Sequence, residues 1–217
     1  MLEIPLFPLN TVLFPGMPLQ LYIFEERYKQ LIADCQKTKS NFGVAFIRQG
    51  VEANGPLAVP YAVGCMAHIT SLESLGDEQY NLWTTGGERF QIMELKHNKP
   101  YLVGLVESYP LQISELLTVK NSIERIRPWI ERYLRSISQT EDIEQILGEM
   151  PSDPEIFAYM GAIVLQIPPG QKQPLLETRE CLSLLKKLER IFHREVALVE
   201  KLQASQVPET QGSFSLN

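Results

Sequence analysis

The chain has 217 residues, 44% of them hydrophobic and 21% charged, and a formal net charge of −6. That apolar content can bury the core of one large or two small domains and excludes a disordered chain. Net acidity argues against nucleic acid, because neutralising phosphates needs a basic face and no run of Lys and Arg supplies one.

Residues 4–24 carry no charge until the run into Glu25 and are long enough to span a membrane. Pro5, Pro8, Pro15 and Pro18 break any helix there, since each lacks an N–H and clashes with the preceding turn. No basic segment precedes the stretch, so it does not read as a signal peptide. Cys35, Cys65 and Cys181 stand far apart with no C-x-x-C, and their odd number favours a reducing compartment. The expected location is the cytoplasm, with no membrane contact.

In chain order, Leu6 to Leu9 and Thr11 to Phe14 read as short strands or extended loops, with a turn at Pro15-Gly16. Leu19, Leu21 and Ile23 alternate with Gln20 and Tyr22, the pattern of a half-buried strand. A helix is predicted from Glu25 to Gln36, with Tyr28, Leu31, Ile32 and Cys35 on its apolar face. Strands follow at Phe42 to Ile47 and Tyr61 to Leu72, the second ending near Leu75-Gly76-Asp77. Tyr80 to Thr85 and Arg89 to Leu95 flank Gly86-Gly87, which predicts a hairpin turn at the glycines. Tyr101 to Tyr109 is the last strand. Many short strands with one helix predict a compact, barrel-like sheet.

The period then changes. Leu116, Val119, Ile123, Ile126, Ile130, Tyr133 and Ile137 recur at steps of three and four residues, predicting a long amphipathic helix bent at Pro128. Thr140 is placed as the cap of a short helix carrying Ile143, Ile146 and Leu147. Ser152-Asp153-Pro154-Glu155 reads as a capping box, with Ser152 bonding the Glu155 N–H, and opens a helix carrying Ile156, Phe157, Met160, Ile163 and Val164. Gln171 to Leu176 is read as one or two helical turns. A final long helix is predicted from Glu177 to Gln203, with a frayed tail after it.

Chemistry-bearing motifs are missing. No Gly-Lys dipeptide occurs, so a phosphate-cradling loop is excluded, and G-x-S-x-G and H-E-x-x-H are absent as well. His68, His97 and His193 are scattered and form no metal-ligand spacing. Cys65 and His68 fall on opposite faces of a predicted strand, which argues against a nucleophile pair. Arg89, between the glycines and an apolar strand, is expected to pair with an acid such as Glu88 or Glu107. No catalytic residue, cofactor or metal is expected.

The opening, Pro5 to Leu9, Phe14 to Gly16, Pro18-Leu19 and Ile23 to Tyr28 with Arg27, resembles the start of the Lon protease N-terminal, or substrate-binding, domain family. Gly87-Glu88-Arg89-Phe90 and Gln173-Pro174-Leu175-Leu176-Glu177 resemble later segments of that family, in the right order, so the resemblance covers about residues 4–203. It implies an α+β fold: a β-rich, PUA-like pseudo-barrel with one helix over residues 1–112, a helical bundle with two long helices over 113–205, and a tail over 206–217. It further implies a stand-alone, non-catalytic domain lacking ATPase and peptidase modules. The implied partners are unfolded or degron-bearing polypeptides, with the domain acting alone or as an adaptor to a separate ATP-dependent protease. Candidate substrate-binding residues are Phe14, Met17, Tyr22, Tyr61, Met66 and Trp83, apolar or aromatic groups near the Pro-rich entry and on the strands. The alternative is a structural or regulatory protein whose long amphipathic helices dock a folded partner or self-associate.

Overall fold

A computed structural model describes residues 1–52, 58–76, 79–137 and 150–206. The short helix placed at Thr140 and the tail beyond Gln206 lie outside these residues.

The first half is a mixed sheet of seven strands: β1 (Leu2–Leu9), β2 (Pro18–Ile23), β3 (Phe42–Gln49), β4 (Val59–Pro60), β5 (Val63–Gly76), β6 (Gln79–Lys96) and β7 (Leu102–Ser108). One helix, α1 (Glu26–Thr38), lies between β2 and β3. The order is β1-β7-β6-β5-β3-β4, and β3 also pairs with β1, in parallel, so the pairings return to their starting strand. β1 carries Pro5 and Pro8 inside the sheet. Its pairing with β7 runs over Leu2 to Leu6 and that with β3 over Leu6 to Leu9, so each proline sits where β1 has a partner on one side only. There a missing N–H costs no ladder bond.

The predicted hairpin at Gly86-Gly87 is not formed. β6 runs straight through both glycines for 18 residues. Its first part pairs with β2 (Leu19↔Thr84, Leu21↔Leu82) and its last part with β7 (Ile92↔Val106), while β5 follows it along the other side. The glycines answer a close approach and not a turn. A Cβ at Gly86 would stand 2.0 Å from the Phe14 carbonyl oxygen, and one at Gly87 would stand 2.3 Å from Nε2 of His68. Freed of a side chain, Gly86 bonds the entry loop on both of its polar groups: Gly16 N–H donates to its carbonyl and its own N–H donates to Met17, each at 2.8 Å. The turn at Pro15-Gly16 forms as predicted, with Gly16 at φ +78°. Thr11 to Phe14 is a loop that turns Val12, Leu13 and Phe14 inward, all buried.

α1 buries Tyr28, Leu31, Ile32 and Cys35, the face read from the sequence, and Tyr28 stacks on Phe7 with ring centroids 3.8 Å apart.

The second half supplies four helices among the described residues: α2 (Leu116–Ile137), α3 (Pro154–Val164), α4 (Pro169–Leu176) and α5 (Cys181–Gln206). α2 continues through Pro128 and buries Val119, Ile123, Ile126, Ile130 and Tyr133. α5 faces it with Leu184, Leu185, Leu188, Phe192 and Val196, all buried, and begins later than predicted, at Cys181. Arg125–Glu189 and Arg132–Glu200 ion pairs, at 3.2 and 2.6 Å, tie the two helices at their rims. The cap of α3 also differs from the expectation. Asp153, and not Ser152, is the N-cap; its carboxylate accepts from the N–H groups of Glu155 and Ile156, each at 3.0 Å. Pro154 fixes the reason, since a proline suits the first helical position and its predecessor then becomes the cap.

The helical core is not closed off from the sheet. Val12, Phe14, Val63 and Leu111 belong to it, with Phe14 and Tyr159 rings 6.5 Å apart. Hydrogen bonds fasten the same seam: Gln173 Nε2 donates to the Val63 carbonyl and the Tyr109 hydroxyl to the Glu177 carbonyl, each at 3.0 Å. No helix among the described residues is long and apolar enough to cross a membrane.

Candidate functional site

Arg89 enters the seam from the middle of β6. It is 3% exposed, which for a guanidinium demands strong partners. The expected carboxylate is not among them. Nη1 donates to the main-chain carbonyls of Leu176 and, at 2.7 Å, Thr178, the segment joining α4 to α5. Tyr109 and Tyr159 flank the group, with the guanidinium carbon 5.2 and 5.5 Å from their ring centres. Burial draws the Arg89 pKa downward, and nearby Tyr159, Tyr109 and Glu155 oppose the shift. Nε and Nη2 make no hydrogen bond. The Tyr159 hydroxyl lies beside Glu155, one helical turn earlier, but makes no well-formed bond, and burial raises its pKa.

Two concavities open on either side of this arginine and share Glu88, Arg89 and Ser108. One, of about 580 Å³, has Met66, Phe90 and Val106 as its apolar wall, with Met1 and Leu2 alongside. The other, of about 430 Å³, lies between Gly86-Gly87 on the sheet and Pro110, Glu155 and Tyr159 on the helical side. Sharing these three residues, the two adjoin as a seam groove whose larger part lies on the sheet and whose smaller part reaches the helices.

The six residues singled out from the sequence do not share one surface. Met66 lines the larger concavity. Tyr22 is 51% exposed, stacks on Phe24 at 5.7 Å and borders a separate cleft of about 280 Å³ with Phe7 and Tyr28. Tyr61, half-buried, stacks flat on Phe46 at 5.4 Å. Met17 and Trp83 are half-buried, and Phe14 is wholly buried in the helical core. Of Glu88, Ser108 and Glu155, the first was read only as a partner for Arg89 and the other two were not foreseen. They come from β6, β7 and α3, and only the folded chain brings them together; the one local signal was an arginine set in an apolar strand.

The three cysteines are not poised as nucleophiles. The Cys65 thiol, wholly buried, bonds the Gly87 carbonyl at 3.2 Å, and burial pushes its pKa up to about 12. Burial likewise raises the thiols of Cys35 and, to about 11, Cys181. Such groups stay protonated and unreactive at neutral pH. His68 is half-exposed and its Nε2 lies 3.3 Å from Glu88. The described residues contain no cluster of His, Cys, Asp and Glu fit to hold a metal.

The family model of the ATP-dependent protease La (LON) substrate-binding domain matches residues 3–194. The chain belongs to this family. Among curated relatives, the Lon protease of Anaeromyxobacter dehalogenans is 26% identical over 194 residues, covering 88% of this chain and 23% of that protein. Lon protease 2 of Myxococcus xanthus is also 26% identical, with 88% and 24% covered. The chain thus spans about a quarter of the length of these Lon proteins. The solved Lon N-terminal domain protein from Xanthomonas campestris is 26% identical and superposes with a TM-score of 0.61 over 87% of this chain and 97% of that one. The N-terminal domain of Mycobacterium avium complex Lon protease superposes at 0.67 over 90% and 98%; at 17% identity this likeness is one of fold. The mixed α+β architecture is therefore that of Lon N-terminal domains.

Proposed function

We propose that this chain is a non-catalytic module that recognises polypeptide, binding unfolded or degron-bearing segments of client proteins, alone or on behalf of a separate ATP-dependent protease. The observation that carries the reading is the substrate-binding family match over residues 3–194. It is supported by the seam groove, whose apolar wall and adjoining polar rim suit an extended segment.

Within this reading, the ring of pairings β1-β7-β6-β5-β3 corresponds to a PUA-like pseudo-barrel, and α2, α3 and α5 to the accompanying helical bundle. Met66 is the candidate contact that lies in the groove, and Tyr22, with its own cleft, is a second point of contact. The alternative, docking of a folded partner or self-association through the long helices, is weakened because most of the α2 stripe, Val119 to Tyr133, is buried in the helical core, with Leu116 left exposed.

The test is fluorescence anisotropy of labelled unfolded peptides, apolar-rich and matched polar, titrated with the purified chain. Saturable binding that prefers the apolar set and weakens in Met66→Ser is expected. Flat titrations with every peptide would sink the proposal. ATP-dependent cleavage of an unfolded protein by this chain alone would sink its non-catalytic part.

A further inference from the structure

Carboxylates are the commonest charged side chains around the seam groove. Glu88 projects into both concavities with its side chain 77% exposed, Glu107 borders the larger one and is exposed, and Glu155 borders the smaller. Among the described residues lining the two, the basic groups are Arg89, His68 and the amino terminus of Met1, which stands at the larger concavity. Arg89 is buried and bonded to the neutral Leu176 and Thr178 carbonyls, so its charge remains and offsets part, but not all, of the three rim carboxylates. Beneath the rim the wall is apolar, formed by Met66, Phe90 and Val106. Arg89, which borders both concavities, also keeps two nitrogens, Nε and Nη2, buried and without acceptors. Buried donors without acceptors are rare.

We propose that the groove selects an extended polypeptide segment in which an apolar side chain is flanked by lysine or arginine. The apolar side chain would lie on Met66, Phe90 and Val106, and the flanking cations against Glu88, Glu107 and Glu155. This rests on the polypeptide-recognition reading and adds to it the charge of the preferred segment. An acidic rim around a low-dielectric wall favours cations and repels carboxylates, which gives selectivity as well as faster encounter.

The experiment compares three labelled peptides on the full chain: an apolar core with lysine flanks, the same core with glutamate flanks, and lysine flanks around a serine core. The first is expected to bind about tenfold more tightly than either of the others, and to lose affinity as salt is raised from about 50 to 300 mM. The triple variant Glu88→Gln, Glu107→Gln, Glu155→Gln is expected to lose most of the preference for lysine over glutamate flanks. A control triple at Glu94, Glu124 and Glu131, which lie outside the groove, is expected to keep it. Equal affinity for lysine- and glutamate-flanked peptides overturns this inference while leaving polypeptide recognition intact. Equal affinity for serine and apolar cores reduces the site to charge attraction and overturns it too. Equal loss in both triples places the selectivity elsewhere and overturns the assignment to the groove. No binding of any peptide overturns the underlying function.

Discussion

Arg89→Met should uncouple the sheet from the helices. The methionine keeps much of the stem and the apolar contacts with Tyr109 and Tyr159, but removes both donors that hold the Leu176 and Thr178 carbonyls. Hydrogen bonds from a charged donor are worth about 1.5–3 kcal/mol each, and each buried carbonyl left without a donor costs about 1–3 kcal/mol. Against this, the variant no longer desolvates a guanidinium two of whose nitrogens are unpartnered, which returns part of the loss. The net expectation is a destabilisation of about 3 kcal/mol. Urea unfolding measures it as a midpoint lowered by roughly 1.5 M for an m-value near 2 kcal/mol/M. The two tryptophans add a second readout. Trp83 lies in β6 and Trp129 in α2, so single-tryptophan versions report on each side of the seam. Their transitions should coincide in the parent and separate in the variant. A loss below about 1 kcal/mol with coincident transitions would refute the view that Arg89 fastens the two halves.

Other expectations test single features. Gly86→Ala places a Cβ against the Phe14 carbonyl, a backbone atom that cannot step aside, and should cost more than about 3 kcal/mol by thermal or urea unfolding. Gly16→Ala, with open space around its Cβ but φ at +78°, should cost only about 1 kcal/mol, and equal losses would contradict the close-approach explanation. Asp153→Ala should remove about 1 kcal/mol through the lost cap of α3, while Ser152→Ala stays within about 0.5 kcal/mol; the reverse order would restore Ser152 as the cap. Hydrogen bonds from Lys99 first, then Tyr101, hold the Asp34 carboxyl below its ordinary pKa. Its contribution is therefore present above the unfolded value, about 3.9, and lost as pH falls through the lower folded value. The carboxylate is partly exposed, so solvent limits the effect to under about 1 kcal/mol. Asp34→Asn should flatten that part of the stability–pH curve, and parallel curves would discount the pair.

Periodicity made the regular elements readable. The face Tyr28, Leu31, Ile32 and Cys35 is buried as the spacing required, and so are Val119, Ile123, Ile126, Ile130 and Tyr133. The start of the second stripe is less faithful: Leu116, in the first turn of α2, is 52% exposed. What sequence could not supply was contact between distant segments. Two glycines amid strand-forming residues carry the same local signal for a tight turn and for a close approach. Here the deciding neighbour, the Phe14 carbonyl, is far away in the chain. The arginine was conspicuous, yet its acceptors are main-chain carbonyls 87 and 89 residues further on, and carbonyls leave no trace in residue identity. Of the groove, Met66 was singled out as a contact and Arg89, with Glu88 or Glu107, as an ion pair, but the acidic rim itself is assembled from three separate elements.

The most direct measurement titrates the purified chain with one protein in two states: native, and permanently unfolded by reduction and alkylation. Recognition of exposed polypeptide requires saturable binding of the unfolded state, none of the native state, and competition by apolar peptides with lysine flanks. Equal binding of both states, or flat titrations with the unfolded state up to about 50 μM, weaker than roughly 6 kcal/mol of binding free energy, would contradict it.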